Sequence, residues 1–105
     1  MPTPTDTRRD LLTVIATMRA KPGKEQQLRD ALEALIEPTT KEPGYVNYDL
    51  HQGTEDPAVF FFYENWESGE ALDTHLQAPH LQHFISIMGD LLDGELQITR
   101  LHRIA

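Results

Sequence analysis

The stretch 45–66, YVNYDLHQGTEDPAVFFFYENW, decides the fold. Tyr45 to Gln52 and Val59 to Trp66 are rich in aromatic and β-branched residues, which suit the pleated, half-buried surface of a strand. Between them, Gly53-Thr-Glu-Asp-Pro57 supplies turn-forming residues, so the two runs are expected to pair as a hairpin with a loop of several residues. Strand alternation in the second run sets Phe60, Phe62, Glu64 and Trp66 on one face, and Phe61, Tyr63 and Asn65 on the other.

Working outward, each side of the hairpin reads as a helix followed or preceded by one more strand. Upstream, Leu28, Ala31, Leu32, Leu35 and Ile36 mark one face of an amphipathic helix. Pro38 does not continue it cleanly, and Pro43-Gly44 closes the connection. Before that helix, Ala20-Lys21-Pro22-Gly23-Lys24 turns the chain, and Leu12, Val14, Ala16 and Met18 alternate as in a strand. Val14, Ala16 and Met18 are expected to share the helix-facing side with Phe60, Phe62, Glu64 and Trp66. Downstream, Ser68 suits a helix N-cap and Glu70 the positive end of its dipole. Pro79 interrupts that helix and is well placed to open another, whose apolar face is Leu81, Phe84, Ile85, Met88, Leu91 and Leu92. Asp93-Gly94 ends it, and Leu96, Ile98 and Leu101 to Ile104 read as a last strand. The order β-α-β-β-α-β predicts an α+β, ferredoxin-like domain with an antiparallel sheet and its helices on one face.

At 105 residues the chain has room for one domain, expected over residues 11–105 behind a loose arm at 1–10. Nine basic against seventeen acidic residues give a net charge of −8. That excess of acid argues against nucleic acid and against an anionic membrane surface, both of which need a basic patch. The chain has no cysteine, which excludes disulfides, thiolate metal sites and a cysteine nucleophile, and fits a cytoplasmic protein. Arg8-Arg9 ahead of Leu11 and Leu12 superficially suggests an export signal. The apolar run is broken by Thr13 and Thr17 and ends at Arg19 and Lys21, so a strand is the better reading. No segment is long enough to span a bilayer.

Six short segments, in order along these elements, resemble the antibiotic biosynthesis monooxygenase (ABM) family, and within it the quinol-monooxygenase-like subgroup. They are Ala20-Lys-Pro-Gly-Lys24, Glu42-Pro-Gly-Tyr45, Tyr48-Asp-Leu-His51, Phe62-Tyr-Glu-Asn-Trp66, Ala71-Leu-Asp-Thr-His75 and Ala78-Pro-His-Leu81. The resemblance implies a homodimer in which two sheets face each other as an α+β barrel with helices outside. It also implies a pocket between sheet and helices, and oxidation of small phenolic or quinol-type substrates with O₂ and no cofactor. Other members isomerise small phosphorylated ligands or degrade haem, so the fold alone leaves the reaction open. The haem degraders use an asparagine on the first strand, and the matching position here is Ala16, which argues against that branch.

Cofactor-free oxygenation requires a base that removes a substrate proton, donors that hold the resulting anion, and a dry pocket. Among five histidines, His83 points away from the apolar stripe of its helix, His51 ends a strand and His102 sits in the last one. His75 and His80 fall in the segments that carry the resemblance and lie near the borders of their helix faces, which makes them the candidate catalytic bases. Glu64, expected on the helix-facing side, is the candidate orienter, with His75 or His80 as its partner. The alternative is a Glu64 at the dimer seam, bonded to Arg100 or Arg19. Tyr48 and Tyr63 are candidate donors to a phenolate, and Trp66 and Phe84 candidate walls for a planar substrate. His80 and His83 are i, i+3, but no carboxylate joins them in a recognised pattern, so no metal is expected. Two other readings stay open: an isomerase of a small carbonyl compound using the same base, and a non-catalytic ligand-binding dimer.

Overall fold

The computed structural model describes residues 10–105. The arm expected at residues 1–10 therefore lies, apart from Asp10, outside the described residues, as does the Arg8-Arg9 pair. The elements are β1 (Leu12–Arg19), α1 (Glu25–Glu33), a single turn α2 (Ile36–Thr39), β2 (Tyr45–Gln52), β3 (Val59–Trp66), α3 (Gly69–Gln77), α4 (Pro79–Ile87), a 3₁₀ turn (Met88–Asp90) and β4 (Gln97–His102). The strands form one sheet in the order β2-β3-β1-β4, antiparallel throughout. This is the ferredoxin-like α+β fold that the alternation and helical spacing predict.

Register explains which side chains reach the core. Val14 lies opposite Glu64, Ala16 opposite Phe62 and Met18 opposite Phe60, so these six residues share the face that β1 and β3 turn to the helices. All six are buried. From the helices, Leu28 and Leu32 of α1 and Leu72 of α3 complete the core, each fully buried aliphatic side chain contributing about 1.5–3 kcal/mol. The hairpin carries one irregularity that alternation did not anticipate. The β2–β3 register shifts between Tyr45 and Asn47, after which Tyr48 pairs with Glu64 and Leu50 with Phe62. A bulge of this kind flips the residues beyond it to the other face. It lets Tyr45 and Tyr48, three apart, both face inward.

Three boundaries differ from the sequence reading. The apolar face through Ile36 suggested one first helix ending near Pro38, but α1 stops at Glu33 and Pro38 lies inside the separate turn α2. The apolar pattern through Leu92 suggested one continuous last helix, but α4 stops at Ile87 and a 3₁₀ turn follows. The backbone around Leu91 and Leu92 is captured by the turn after β1: Lys21 N donates to Leu91 O at 2.8 Å, and Leu92 bridges to Ala20. Their side chains are buried there without being helical. The last strand is likewise shorter than expected, ending at His102, and it is an edge strand exposed along its length. The helix-free side of the sheet displays Phe61, Tyr63 and Leu101 to solvent, each more than a third exposed.

Candidate active site

A cavity of about 70 Å³ lies between the sheet and the helices. Val14, Ala16 and Phe62 form its floor, Leu72, Leu81 and Phe84 its helical walls, and Tyr48, Glu64 and His75 supply its polar groups. No lysine or arginine lines it among the described residues.

His75 reaches this cavity because of how α3 and α4 meet. Ser68 caps α3, its hydroxyl accepting from Ala71 N at 3.1 Å, which satisfies an otherwise orphaned donor and fixes where the helix begins. His75 and His80 are five residues apart and would sit about 140° apart on one continuous helix. The helix breaks instead at Ala78, which is extended (φ −63°, ψ 145°) ahead of Pro79 at the first position of α4. A proline ring excludes helical geometry from the residue before it. The break turns His80 back toward His75, and the two rings end with centroids 6.1 Å apart.

Both rings meet a carboxylate, and it is not Glu64. Glu42 Oε2 lies 2.9 Å from His75 Nδ1 and 2.9 Å from His80 Nε2. The buried hydroxyl of Thr39 is 3.1 Å from His80 Nε2. Glu42 is delivered by the turn between α2 and β2. Its backbone N–H donates to Thr39 O, its carbonyl accepts from Tyr45 N, and Gly44 O accepts from Glu67 N at 2.9 Å. Gly44 has φ +77°, and a Cβ there would stand 2.5 Å from that of Ala71. Only glycine lets this turn close against α3, and that closeness holds Glu42 over His75.

The expected Glu64–histidine pairing is therefore corrected. Glu64 faces inward as alternation required, but its carboxylate accepts from Trp66 Nε1 at 2.9 Å. The reason is local: residues i and i+2 of a strand share a face, so the indole N–H of Trp66 is already in reach. The alternative with Arg19 or Arg100 also fails, since these pair with Asp56 and Asp73 at the surface. His75 departs from expectation too. It is 2% exposed, not at a border, and packs between Trp66 (ring centroids 4.6 Å) and Tyr48 (5.2 Å).

The remaining candidates divide cleanly. Tyr48 stacks on Phe62 at 4.0 Å and lines the cavity, as does Phe84. Trp66 has no exposed surface and its N–H is engaged by Glu64, so it backs His75 instead of walling the cavity. Tyr63 is on the helix-free face, the consequence of its odd position in β3, and the sheet separates it from the cavity. His83 and His102 are exposed, as is His51, whose Nδ1 lies 3.1 Å from the backbone oxygen of Asp49. Sequence reasoning missed Glu42 and Thr39. The available signal for Glu42 was a carboxylate directly before a Pro-Gly turn, which no periodicity marks.

Burial sets the protonation of the cavity. It pulls the His75 imidazole below its ordinary value, more than the Glu42 hydrogen bond and charge raise it. The ring is thus neutral near pH 7, with its proton on Nδ1 facing Glu42 and a lone pair left on Nε2. Glu64 is pushed up to about 7 by burial, against the lowering effect of Trp66 N–H and helped by the charge of Glu42. Burial, then Glu64 and Glu42, push the Tyr48 phenol well above its usual range, so it stays a hydrogen-bond donor.

Comparisons with known proteins bear on the family of the chain, not on these side chains. The family model described as antibiotic biosynthesis monooxygenase matches residues 11–86. The chain belongs to this family. It is 33% identical over 88 residues to a Mycobacterium tuberculosis protein that bears a monooxygenase name, covering 84% of this chain and 86% of that one. The solved structure of that relative superposes with a TM-score of 0.85 at 30% identity, over 90% of this chain and 96% of the other. The Escherichia coli protein YgiN, which carries the name of a quinol monooxygenase, is 31% identical over 101 residues, covering 86% and 97% of the two chains. The chain spans 65% of a longer Synechocystis relative at 30% identity. A shorter match, 29% identical over 66 residues, is to a Klebsiella pneumoniae protein named as a 4-hydroxy-5-phosphonooxypentane-2,3-dione isomerase, covering 63% of this chain and 67% of that one.

Proposed function

We propose that this ABM protein oxidises a small quinol or polyphenol with O₂ and without a cofactor, using His75 as the base. The observation that carries the reading is the Glu42–His75 pair. Glu42 holds the Nδ1 proton, which leaves Nε2 to accept a proton from a substrate hydroxyl in the cavity that the ring lines. The substrate anion formed is electron-rich enough to pass an electron to O₂ directly. Tyr48 donates to that anion, Glu64 supplies a second polar group that titrates near neutrality, and Phe84 and Phe62 bracket a flat ring. The domain is taken as residues 11–105, in the cytoplasm, as a homodimer joined through the helix-free sheet face. In support of the dimer, Phe61, Tyr63 and Leu101 crowd that face, a patch that soluble monomers seldom leave open. Among the described residues no helix is long and apolar enough to cross a membrane.

The isomerase reading draws support from the Klebsiella pneumoniae match, since a base beside a carbonyl substrate needs the same imidazole. The cavity lining counts against a phosphorylated ligand, because no cation lines it among the described residues. Aerobic and anaerobic assays against a panel of quinols separate the two. O₂ uptake matched to product, absent without O₂, is the expected result; turnover of a carbonyl compound that ignores O₂ would overturn it.

A further inference from the structure

The two imidazoles and the carboxylate that form the base also have the composition of a metal site. Glu42 Oε2, His75 Nδ1 and His80 Nε2 all lie within 4.8 Å of one another. Two of the three separations are 2.9 Å. A tetrahedral zinc ion with bonds of about 2.0–2.1 Å sets its ligands about 3.3 Å apart, so each short pair need open by only a few tenths of an ångström. Two imidazoles with one carboxylate favour zinc and its first-row neighbours over calcium or magnesium, which prefer all-oxygen shells.

A second observation points the same way. The Glu42 side chain is 9% exposed, and its other oxygen, Oε1, is buried with no hydrogen-bond partner among the described residues. One oxygen of this carboxylate faces two imidazoles while the other faces none. Access exists from the side of His80, whose side chain is 20% exposed against 3% for His75.

We infer that Glu42, His75 and His80 take up one divalent transition-metal cation, of which zinc is the type case. The cation takes the place of the proton on His75 Nδ1 and is also held by His80 through Nε2. The displaced proton moves to Nε2 of the same ring, so the His75 imidazole stays neutral. On the reading above, this puts a proton on His75 Nε2 and removes the lone pair that faces the cavity. Metal binding is then a way to silence the base, and chelation a way to restore it. Only that consequence rests on the proposed function; the binding itself does not.

The test is direct titration of the metal-free full chain at pH 7.5. Co(II) reports coordination through its visible d–d bands, and Zn(II) affinity is read by competition with a chromophoric chelator. One equivalent is expected to bind. His80→Ala and Glu42→Gln should each weaken it by at least about 100-fold, since the loss of even a supporting partner of a ligand costs 10–100-fold. His83→Ala, at an exposed position outside the cluster, should bind as the parent does. Circular dichroism checks that each variant is folded, and His80→Gln replaces His80→Ala if the latter is not. A chain that shows no Co(II) bands under excess metal, or variants that bind as tightly as the parent, would overturn the site. Because no substrate is present, such a failure leaves the Glu42–His75 base untouched, and an inactive enzyme leaves the metal site untouched.

Discussion

The turn that carries Glu42 and the strand that carries Glu64 deliver two carboxylates to the same interior in different ways. Strand β3 offers Glu64 whatever shares its face, and that is one indole N–H two residues away. The turn brings Glu42 against His75 of α3 and His80 at the start of α4, and so gives it two imidazoles on one oxygen. Glu64 is consequently a desolvated acid that titrates near 7. Glu42 is a positioning group that decides which nitrogen of His75 carries the proton. Polar chemistry is assembled where the chain is irregular, while the regular strand supplies its wall.

The largest effect should come from removing the group that the Glu42 turn positions. His75→Ala is expected to lower turnover by two to four powers of ten, the range for loss of a general base. His75 is buried, so thermal melts must accompany the assay, with rates taken well below the transition. A folded variant at full activity would end its role as base.

Next is the turn itself. Gly44→Ala forces a side chain into a left-handed conformation and against the Cβ of Ala71 at 2.5 Å. A cost of about 2–4 kcal/mol is expected, combining the strain of positive φ with overpacking. Gly23→Ala is the control: its φ is +85°, but a Cβ there meets nothing within 4 Å. It should cost about 1–2 kcal/mol, for strain alone. Equal losses in urea melts would mean that contact with α3 does not set the turn.

Much of β3 and little of the turn was legible in the sequence, for a physical reason. Period-two alternation is a local rule, so it placed Glu64, Phe62 and Phe60 inward and Tyr63 outward from eight residues alone. The position of Glu42 depends on Gly44 meeting Ala71, a contact across 27 residues that no periodicity encodes. The break at Pro79 was readable, but its effect on His80 was not, because that depends on how far α4 swings back over α3. The bulge at the start of β2 was hidden similarly: alternation through 45–52 gives no sign that Tyr45 and Tyr48 face the same way.

A smaller effect separates the two carboxylates functionally. Glu42→Gln keeps an acceptor for His75 Nδ1–H but removes the charge that raises the imidazole, so the rise of rate with pH should move to lower pH. Turnover should fall by roughly 10- to 100-fold as the imidazolium loses its partner. Glu64→Gln should leave the midpoint where it is, since Glu64 is not among the groups that shift His75. Profiles of kcat/KM against pH check both. A midpoint that follows Glu64 and ignores Glu42 would reverse the assignment.

The smallest effect concerns stability, and here Glu64 should show what Glu42 does not. Burial raises the Glu64 carboxyl from 4.5 to about 7 in the folded chain. Between those values the unfolded chain has lost this proton and the folded chain still holds it. The folded state thus binds more protons, so stability conferred by this group is full below pH 4.5 and is lost as pH rises through about 7. His75 acts with the opposite sign. Its depressed folded value means that the folded state binds fewer protons than the unfolded one just below the ordinary histidine range, so its contribution grows as pH rises there. The two trends overlap in the wild-type chain, but Glu64→Gln removes only the first, and its amide can still accept from Trp66 Nε1. The variant's stability relative to wild type should therefore climb between pH 4.5 and 8 by about 1–3 kcal/mol and then level off. Urea unfolding at pH 4.5, 6 and 8 measures it. If the difference between the two chains is the same at all three, Glu64 titrates alike folded and unfolded, and β3 does not supply a dry wall.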